Sequence, residues 1–112
     1  MIKPCEPRMY MILREDLAFK WNQGAHALAK HALQFPKEFE VWNNQYLIGL
    51  SVFNGLALSD LNNKLLEEIG LFKYSIFFEP DLRSELPTAI CIFEDGSGEV
   101  SHALKDLKLA TK

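Results

Sequence analysis

Residues 9–13 read MYMIL and residues 21–35 read WNQGAHALAKHALQF, and these two stretches decide the predicted fold. The first is short, almost entirely apolar and bounded by Pro7 and by charged residues 14–16, which is typical of a strand covered on both faces. The second is rich in alanine, the best helix former, and Pro36 is expected to end it. Its predicted core-facing stripe comprises Trp21, Ala25, Leu28, Ala32 and Phe35, at helical spacings of three and four.

The rest of the chain continues the alternation of strand and helix. Three further strands are predicted at residues 46–52 (YLIGLSV), 73–78 (KYSIFF) and 88–93 (TAICIF). Strands separated by helices imply parallel crossovers, whereas the last two adjacent strands imply one antiparallel strand. The predicted fold class is therefore α/β, a three-layer α/β/α arrangement with a mixed four-stranded sheet.

Three shorter helices are expected around these strands. One is a short helix or turn from Lys37 to Trp42. Another has Ser59 as its predicted N-cap and Gly70 just beyond its end, with apolar residues at every fourth position between them. The tail from Val100 through Leu107 is expected to form the last.

The composition fits one soluble domain spanning residues 1–112, with residues 1–7 as an irregular arm. The formal net charge of −3 argues against nucleic-acid binding through bulk charge, although a local basic patch stays open. No apolar run approaches the roughly 20 residues of a membrane-spanning helix, and the first residues lack the pattern of a signal peptide. Cys5 and Cys91 form no recognisable framework, which favours a cytoplasmic protein with reduced thiols.

Polar residues gather where the first strand passes into the first long helix, which is the place where open α/β sheets bind ligands. This group comprises Arg14, Glu15, Asp16, Lys20, Asn22, Gln23 and His26. Gln23 and His26 share a helix face, which Lys30 extends. Such a group is more often simply a solvated helix face, but His26 is singled out because a histidine can move protons near neutral pH.

The segment FFEPDLRSELPT (residues 77–88) is the second unusual feature. Glu79 and Asp81 follow the third strand with Arg83 nearby, and carboxylates there are candidates to orient or deprotonate water for His26. The alternative is a polar loop with a local Asp81–Arg83 pair. Thr88 opens the fourth strand and either hydrogen-bonds a substrate or simply suits a strand.

Other chemistries find little support. His26 and His31 are five residues apart, about 140° around a helix, so they cannot hold one metal from the same face. There is no Gly-x-Ser-x-Gly elbow and no phosphate-binding glycine loop, and Cys91 lies inside a strand. We therefore expect no metal site, and acid/base activation of water rather than a covalent intermediate.

Several segments together resemble the type 2 peptidyl-tRNA hydrolase family. MYMILREDL (9–17) followed by NQGAHA (22–27) resembles the family's first strand and its Q-x-A-H-A helix, and LSDLNNKLLEEIGL (58–71) resembles its second crossover helix. FFEPDLRSELPTAICIF (77–93) resembles its acidic turn and final strand. The similarity extends from Met9 to about Leu107, and the family's strand and helix order is the one predicted above.

The resemblance implies cofactor-independent hydrolysis of the ester between peptide and tRNA. Gln23 and His26 match the helix motif, Arg14 and Asp16 match the strand exit, and Glu79 stands where the family has an aspartate. The expected catalytic residues are then His26, Glu79, Asp81 and Thr88. The expected substrate-binding residues are Arg14, Asp16, Lys20, Gln23, Lys30 and Arg83, with tRNA as partner and a homodimer left open.

The chain also departs from the family's pattern. Ala18 stands where the family has a lysine, the loop before the helix is shorter, and Arg83 replaces the threonine of the family's acidic turn. These departures favour the alternative of a non-catalytic RNA- or protein-binding module of the same fold. A hydrolase for another small ester or amide is the third option, which the acidic charge favours.

Overall fold

A computed structural model describes residues 2–70, 73–82 and 85–111. The strands in these residues are β1 (Arg8–Arg14), β2 (Leu47–Val52), β3 (Tyr74–Phe77), β4 (Ala89–Glu94) and β5 (Lys108–Leu109). The helices are α1 (Lys20–Gln34), α2 (Pro36–Trp42), α3 (Gly55–Glu68) and α4 (Glu99–Ala103), and Pro80–Leu82 forms one 3₁₀ turn. Residues 2–7 form neither helix nor strand.

The five strands form one mixed sheet in the order β3-β4-β1-β2-β5. β1 pairs in parallel with β2, whereas β4 is antiparallel to both of its neighbours, β1 and β3. β1, β2 and β3 therefore run in one direction and end at the same edge of the sheet, which we call the carboxyl edge. The start of β4 lies at that edge as well.

Helices pack on both faces of the sheet because the central strand is apolar on both. Met9, Met11 and Leu13 of β1 pack in one cluster with Ala27 of α1 and Trp42 of α2. The alternate residues Tyr10 and Ile12 pack in a second cluster with α3 and α4. A doubly covered strand has this pattern because successive side chains point to opposite faces.

The fold class is confirmed as mixed α/β, but the sheet has five strands in the described residues and not the predicted four. Residues 100–107 were predicted as one helix, whereas α4 ends at Ala103 and the chain then forms β5. β5 pairs antiparallel with β2 over only two residues. Such a short edge strand leaves almost no periodic signal in a sequence.

The start of α3 also differs from the prediction. Ser59 lies inside the helix, and the N-cap is Asn54, whose side-chain oxygen accepts a hydrogen bond from the Ala57 amide at 2.9 Å. The Asn54-Gly55 pair, which reads as a turn signal, is thus a helix start. Gly70 does follow the helix end with a positive φ of 113°, as predicted.

The predicted apolar stripe of α1 is not its buried face. The buried residues are Lys20, Gln23, Gly24, Ala27 and His31, whereas Trp21 is 41% exposed. The cause is the close approach of α1 to β1: a Cβ on Gly24 would lie 2.6 Å from Leu13 Cδ2 and 3.1 Å from Met11 Sδ. Small residues therefore face the sheet, and the Trp21 ring covers Gly49 at the side of the helix.

No helix in the described residues combines the length and apolar character that crossing a bilayer requires.

Candidate active site

The carboxyl edge brings the two polar segments of the sequence together. Leu13 of β1 and Phe77 of β3 both pair with Ala89, so one row of residues crosses the three strands. The next residue outward on each strand is Arg14, Phe78 or Thr88. The segment carrying Glu79 thus begins at the same edge as the end of β1, with the start of β4 between them.

His26 and Glu79 face each other at this edge. His26 Nδ1 lies 3.5 Å from Glu79 Oε2, close enough for an ion pair when the imidazole is protonated. The distance exceeds that of a good hydrogen bond, as is common for catalytic contacts before substrate binds. The Phe77 ring meets the imidazole edge-on, with 4.9 Å between centroids and 89° between planes, and so helps to fix its orientation.

The two partners differ in their access to solvent. The His26 side chain is 52% exposed, whereas that of Glu79 is 14% exposed. A carboxylate held at Nδ1 favours the tautomer with its proton there, which leaves Nε2 as the acceptor. The pair therefore has the parts of a general base and its orienting group.

Two buried oxygen atoms at the site lack a partner. Glu79 Oε2 and Gln23 Oε1 are inaccessible to solvent and accept no hydrogen bond from the described residues. Gln23 is 9% exposed as a residue and lies one turn before His26 on α1. Buried acceptors are normally satisfied, so each such atom needs an explanation.

The other predicted site residues of this segment are Thr88, Asp81 and Arg83. Thr88 is buried, and its hydroxyl donates to the Phe77 carbonyl oxygen at 3.1 Å, so its proton is already engaged within the protein. Asp81 is exposed on the 3₁₀ turn. Arg83 lies outside the described residues.

Arg14 and Asp16 form a pair of their own. Nε and Nη2 of Arg14 donate to the two carboxylate oxygens of Asp16 at 3.0 and 2.8 Å, and Nη1 donates to the Pro87 carbonyl at 3.1 Å. The Arg14 guanidinium lowers the pKa of Asp16 below its usual value. All three guanidinium nitrogens are thus engaged, which suits a residue that fixes the loop before β4 rather than one that binds phosphate.

Lys20 is also engaged within the protein. Its Nζ donates to Glu15 Oε2 at 2.5 Å and to the hydroxyl of Thr111, and the residue is buried. Glu15 in turn accepts from the Thr111 hydroxyl at 2.8 Å and from the Thr111 amide at 3.2 Å. These contacts, led by the Lys20 hydrogen bond, lower the pKa of Glu15 from 4.5 to about 2. We call residues 15, 20 and 111 the clasp.

Lys30 has a structural partner as well. Its Nζ donates to the Ile76 carbonyl at 2.7 Å, on the outer side of the edge strand β3. The ammonium group thereby caps a free backbone acceptor at the sheet edge. Hence the cations Arg14, Lys20 and Lys30, all expected to bind tRNA, each have a partner inside the protein.

The described residues offer no site for metal chemistry and no reactive thiol at Cys91. No group of three His, Cys, Asp or Glu side chains there is placed to hold a metal ion. Burial raises the pKa of the Cys91 thiol far above its usual value, which makes it unreactive. A cavity of about 470 Å³ lies at the opposite edge of the sheet, where Lys73 precedes β3 and Asp95 follows β4.

Comparisons with known proteins give the fold and no activity. No protein-family model matches the chain, and no curated protein matches it. Among solved structures, it is similar to a protein of unknown function from Agrobacterium tumefaciens str. C58, with a TM-score of 0.70 and 17% sequence identity. The similarity covers 96% of this chain and 99% of that one. At this identity the similarity shows the mixed α/β fold alone.

Proposed function

We propose that the chain is a cofactor-independent hydrolase that cleaves a carboxylic ester by activating water at the His26–Glu79 pair. The observation that carries this proposal is the 3.5 Å approach of an exposed imidazole to a mostly buried carboxylate at the carboxyl edge. The resemblance of residues 9–17, 22–27 and 77–93 to type 2 peptidyl-tRNA hydrolases supports peptidyl-tRNA as the first substrate to test.

In the proposed reaction, Glu79 holds the proton of His26 on Nδ1, and Nε2 removes a proton from water as the water oxygen attacks the ester carbonyl. The new C–O bond gives a tetrahedral intermediate. When that intermediate collapses, the C–O bond to the leaving alcohol breaks, and the imidazolium returns its proton to the alkoxide. The proposal assigns no proton transfer to Thr88, because its hydroxyl already donates to Phe77.

The test is release of peptide from an N-blocked aminoacyl-tRNA by the purified protein. We expect His26→Asn to lower kcat by about 10²- to 10⁴-fold, since that is the usual contribution of a general base. Glu79→Gln keeps the shape but loses the charge that orients the imidazole, and we expect a smaller loss. His102→Asn, at an exposed position away from the edge, is the matched control. Activity that survives the loss of both His26 and Glu79 refutes the proposed roles.

A hydrolase for a small ester or amide is the second candidate. Two observations favour it. The basic side chains of Arg14, Lys20 and Lys30 already have partners inside the protein, and the chain carries a net charge of −3. Free tRNA separates the two candidates: it competes with a tRNA ester and leaves hydrolysis of a small ester unchanged. Salt-sensitive tRNA binding without turnover would instead support a non-catalytic binding module.

A further inference from the structure

We propose that the outer edge of β3 binds an extended peptide segment of a partner protein, in which acidic and apolar residues alternate. The segment adds to the sheet as a further strand and pairs with the backbone of Tyr74 and Ile76. This inference is independent of the proposed hydrolysis, because neither His26 nor Glu79 is among the described residues that line the groove at this edge.

The first observation is that the outer backbone of β3 has no strand beside it. β3 is the first strand in the sheet order, and in the described residues its one neighbour is β4. The Phe77 carbonyl points toward β4, where it accepts from the Thr88 amide at 2.8 Å. The carbonyl and N–H of Ile76 point the other way, because both groups of one residue face the same side of an antiparallel strand and the side alternates along it. Tyr74, two residues earlier, faces outward as well.

A side chain, and not a strand, holds the outward carbonyl of Ile76. Lys30 Nζ donates to it at 2.7 Å. This ammonium group satisfies a single acceptor, whereas an added antiparallel strand can exchange two backbone hydrogen bonds with each outward-facing residue. When a peptide amide takes the Ile76 carbonyl, the ammonium group is free to pair with an acidic side chain of the peptide.

The edge is also open to a strand. A groove of about 240 Å³ lies against Tyr74 and Ile76. It is smaller than the roughly 300–1,000 Å³ of a typical small-molecule site, and its floor is a strand edge, so an extended peptide suits it better than a small ligand. Residues of two helices form its walls: Lys30, Gln34 and Phe35 of α1 on one side, and Asn62 and Leu66 of α3 on the other.

The polar side chains of both walls have hydrogen-bond donors to offer. The Gln34 side-chain oxygen accepts from the Ser75 hydroxyl, and the Asn62 side-chain oxygen accepts from the Tyr74 hydroxyl. The NH₂ groups of the same two amides have no partner in the described residues. Together with the ammonium group of Lys30, they match a ligand rich in acceptors, as the carbonyl and carboxylate oxygens of a peptide are.

The two walls specify an alternating sequence. Ser75 contacts α1 and Tyr74 contacts α3, so alternate side chains of an added strand also face these two walls. Lys30 is the one charged group among the described lining residues, and it belongs to the α1 wall. Leu66 is 37% exposed and belongs to the α3 wall. Acidic residues are therefore expected toward α1 and apolar residues toward α3.

Charge favours a peptide over a second copy of this chain. β3 reads YSIF and carries no acidic residue. Two copies that paired through β3 about a two-fold axis would have both α1 helices on the same face of the joined sheet, with two Lys30 ammonium groups there. Like charges at such positions destabilise a pair of strands, whereas an acidic peptide meets one ammonium group.

The probe is the pentapeptide acetyl-VEVEV-amide, titrated into ¹⁵N-labelled protein. We expect the backbone amides of Tyr74 and Ile76 to shift and to become protected from hydrogen exchange as the peptide binds. The Ala110 amide, which bonds to the Gly49 carbonyl on the far side of the sheet, should not change. Absence of binding at millimolar peptide, or binding that leaves Tyr74 and Ile76 unchanged, overturns the inference.

Two N-methylated peptides test the backbone pairing. A residue that exchanges hydrogen bonds with Ile76 has its side chain on the same face as Ile76, which packs with the cluster that includes α3. The apolar valines take that position, so their N–H groups point to β3. Methylation of the central valine nitrogen should lower the affinity at least about fivefold, whereas methylation of the next glutamate nitrogen, which points away, should change it little. Equal effects of the two methyl groups rule out antiparallel strand addition.

The glutamine analogue acetyl-VQVQV-amide tests the charge. We expect the wild-type protein to prefer the glutamate peptide at least about threefold, and Lys30→Gln to bind both peptides equally. The ratio of the two affinities is the measured quantity, because freeing the Ile76 carbonyl affects both peptides alike. Lys105→Gln changes an exposed lysine outside the groove and should keep the preference. A preference that persists in Lys30→Gln contradicts the assigned role of Lys30.

The protein alone, measured at rising concentration, tests the other occupant of the edge. We expect the Ile76 amide to keep its position without peptide. A shift that grows with protein concentration would mean that a second copy covers β3, and it would overturn the assignment to a peptide.

Discussion

Glu94 and His31 are both buried polar residues, but in the described residues only the Glu94 side chain has hydrogen-bond partners. The Glu94 carboxylate accepts hydrogen bonds from the backbone amides of Gly96, Gly98 and Ser101 at 2.7, 3.1 and 2.9 Å. It therefore organises the turn between β4 and α4. His31 is 1% exposed and packs against the Phe35 ring, and neither of its ring nitrogens has a hydrogen-bond partner in the described residues.

His31 makes stability depend on pH. Burial lowers its pKa from 6.5 to about 4, so the folded protein keeps the imidazole neutral while the unfolded chain takes up a proton below 6.5. The free energy of unfolding should therefore fall as pH drops from 6.5 to 4, by at most about 3 kcal/mol from this group. Above pH 7 the effect is absent.

Urea unfolding of wild type and His31→Leu between pH 4 and 7.5 measures this effect. Leucine fills a similar volume without polar atoms, so we expect the difference in unfolding free energy to be constant above pH 7 and to shift in favour of the variant toward pH 4. His102→Leu changes an exposed histidine and should leave the wild-type pH dependence in place. Parallel curves for wild type and His31→Leu would contradict the prediction.

At the scale of elements, apolar runs predict the strands well, because β1, β2, β3 and β4 begin and end within one or two residues of the runs that indicated them. The prediction of the buried face of α1 was wrong because Gly24 and Ala27 let the helix lie close against β1. The periodicity of apolar residues carries no information about this tertiary contact.

For the candidate site too, the sequence predicts one part and misses another. That His26 and Glu79 lie together follows from the rule that parallel strands end at one edge of the sheet. The partners of the basic residues do not follow from sequence, because each contact spans a long stretch of chain. Arg14 reaches Pro87, Lys20 reaches Thr111 and Lys30 reaches Ile76.

The turn after β4 and the arm at residues 2–7 form one packed unit, which glycine substitutions can test. Gly98 has a φ of 87°, and a Cβ there would lie 1.9 Å from the Lys3 carbonyl oxygen. Gly70 has a similar φ of 113°, but its nearest neighbour would be 3.9 Å away. Gly70→Ala should cost about 1 kcal/mol of stability from backbone strain alone. Gly98→Ala should cost at least about 3 kcal/mol, since the backbone of the arm must also move.

Thermal or urea unfolding of the two variants gives the comparison directly. Because both positions carry the same kind of backbone strain, the difference between them reports the clash with the arm. Similar losses in both would mean that the arm is not packed against Gly98.

At the scale of the whole molecule, the clasp joins the loop after β1 to the end of the described chain. Beyond β5, the Ala110 amide donates to the Gly49 carbonyl at 2.9 Å, and the Trp21 indole donates to the Thr111 carbonyl at 3.0 Å. Residues 108–111 thus cover the outer side of β2.

Glu15 controls this contact in a predictable pH range. Its pKa in the folded protein is about 2, below the ordinary 4.5, so its contribution is present above pH 4.5 and is lost as the pH falls toward 2. We expect the amides of Ala110 and Thr111 to stay protected from hydrogen exchange at pH 4.5 and above in wild type, and to lose protection at every pH in Glu15→Gln. Glu85→Gln is the control. Unchanged protection in Glu15→Gln would show that β5 holds the segment without the clasp.

The position of β4 also governs when the molecule can assemble. It is the last of the seven helices and strands from β1 to β4 along the chain, yet it lies between β1 and β3 and is the strand that joins them in the sheet. A nascent chain that has emerged only as far as residue 87 can form the β1–β2 pair, but β3 then lacks the strand that joins it to the sheet and has only contacts outside the sheet, such as the one from Lys30 to the Ile76 carbonyl. The imidazole of α1 and the carboxylate after β3 are therefore held by one continuous sheet only after β4 has paired with both strands, and this step needs contacts about 80 residues apart in sequence, a separation that slows folding.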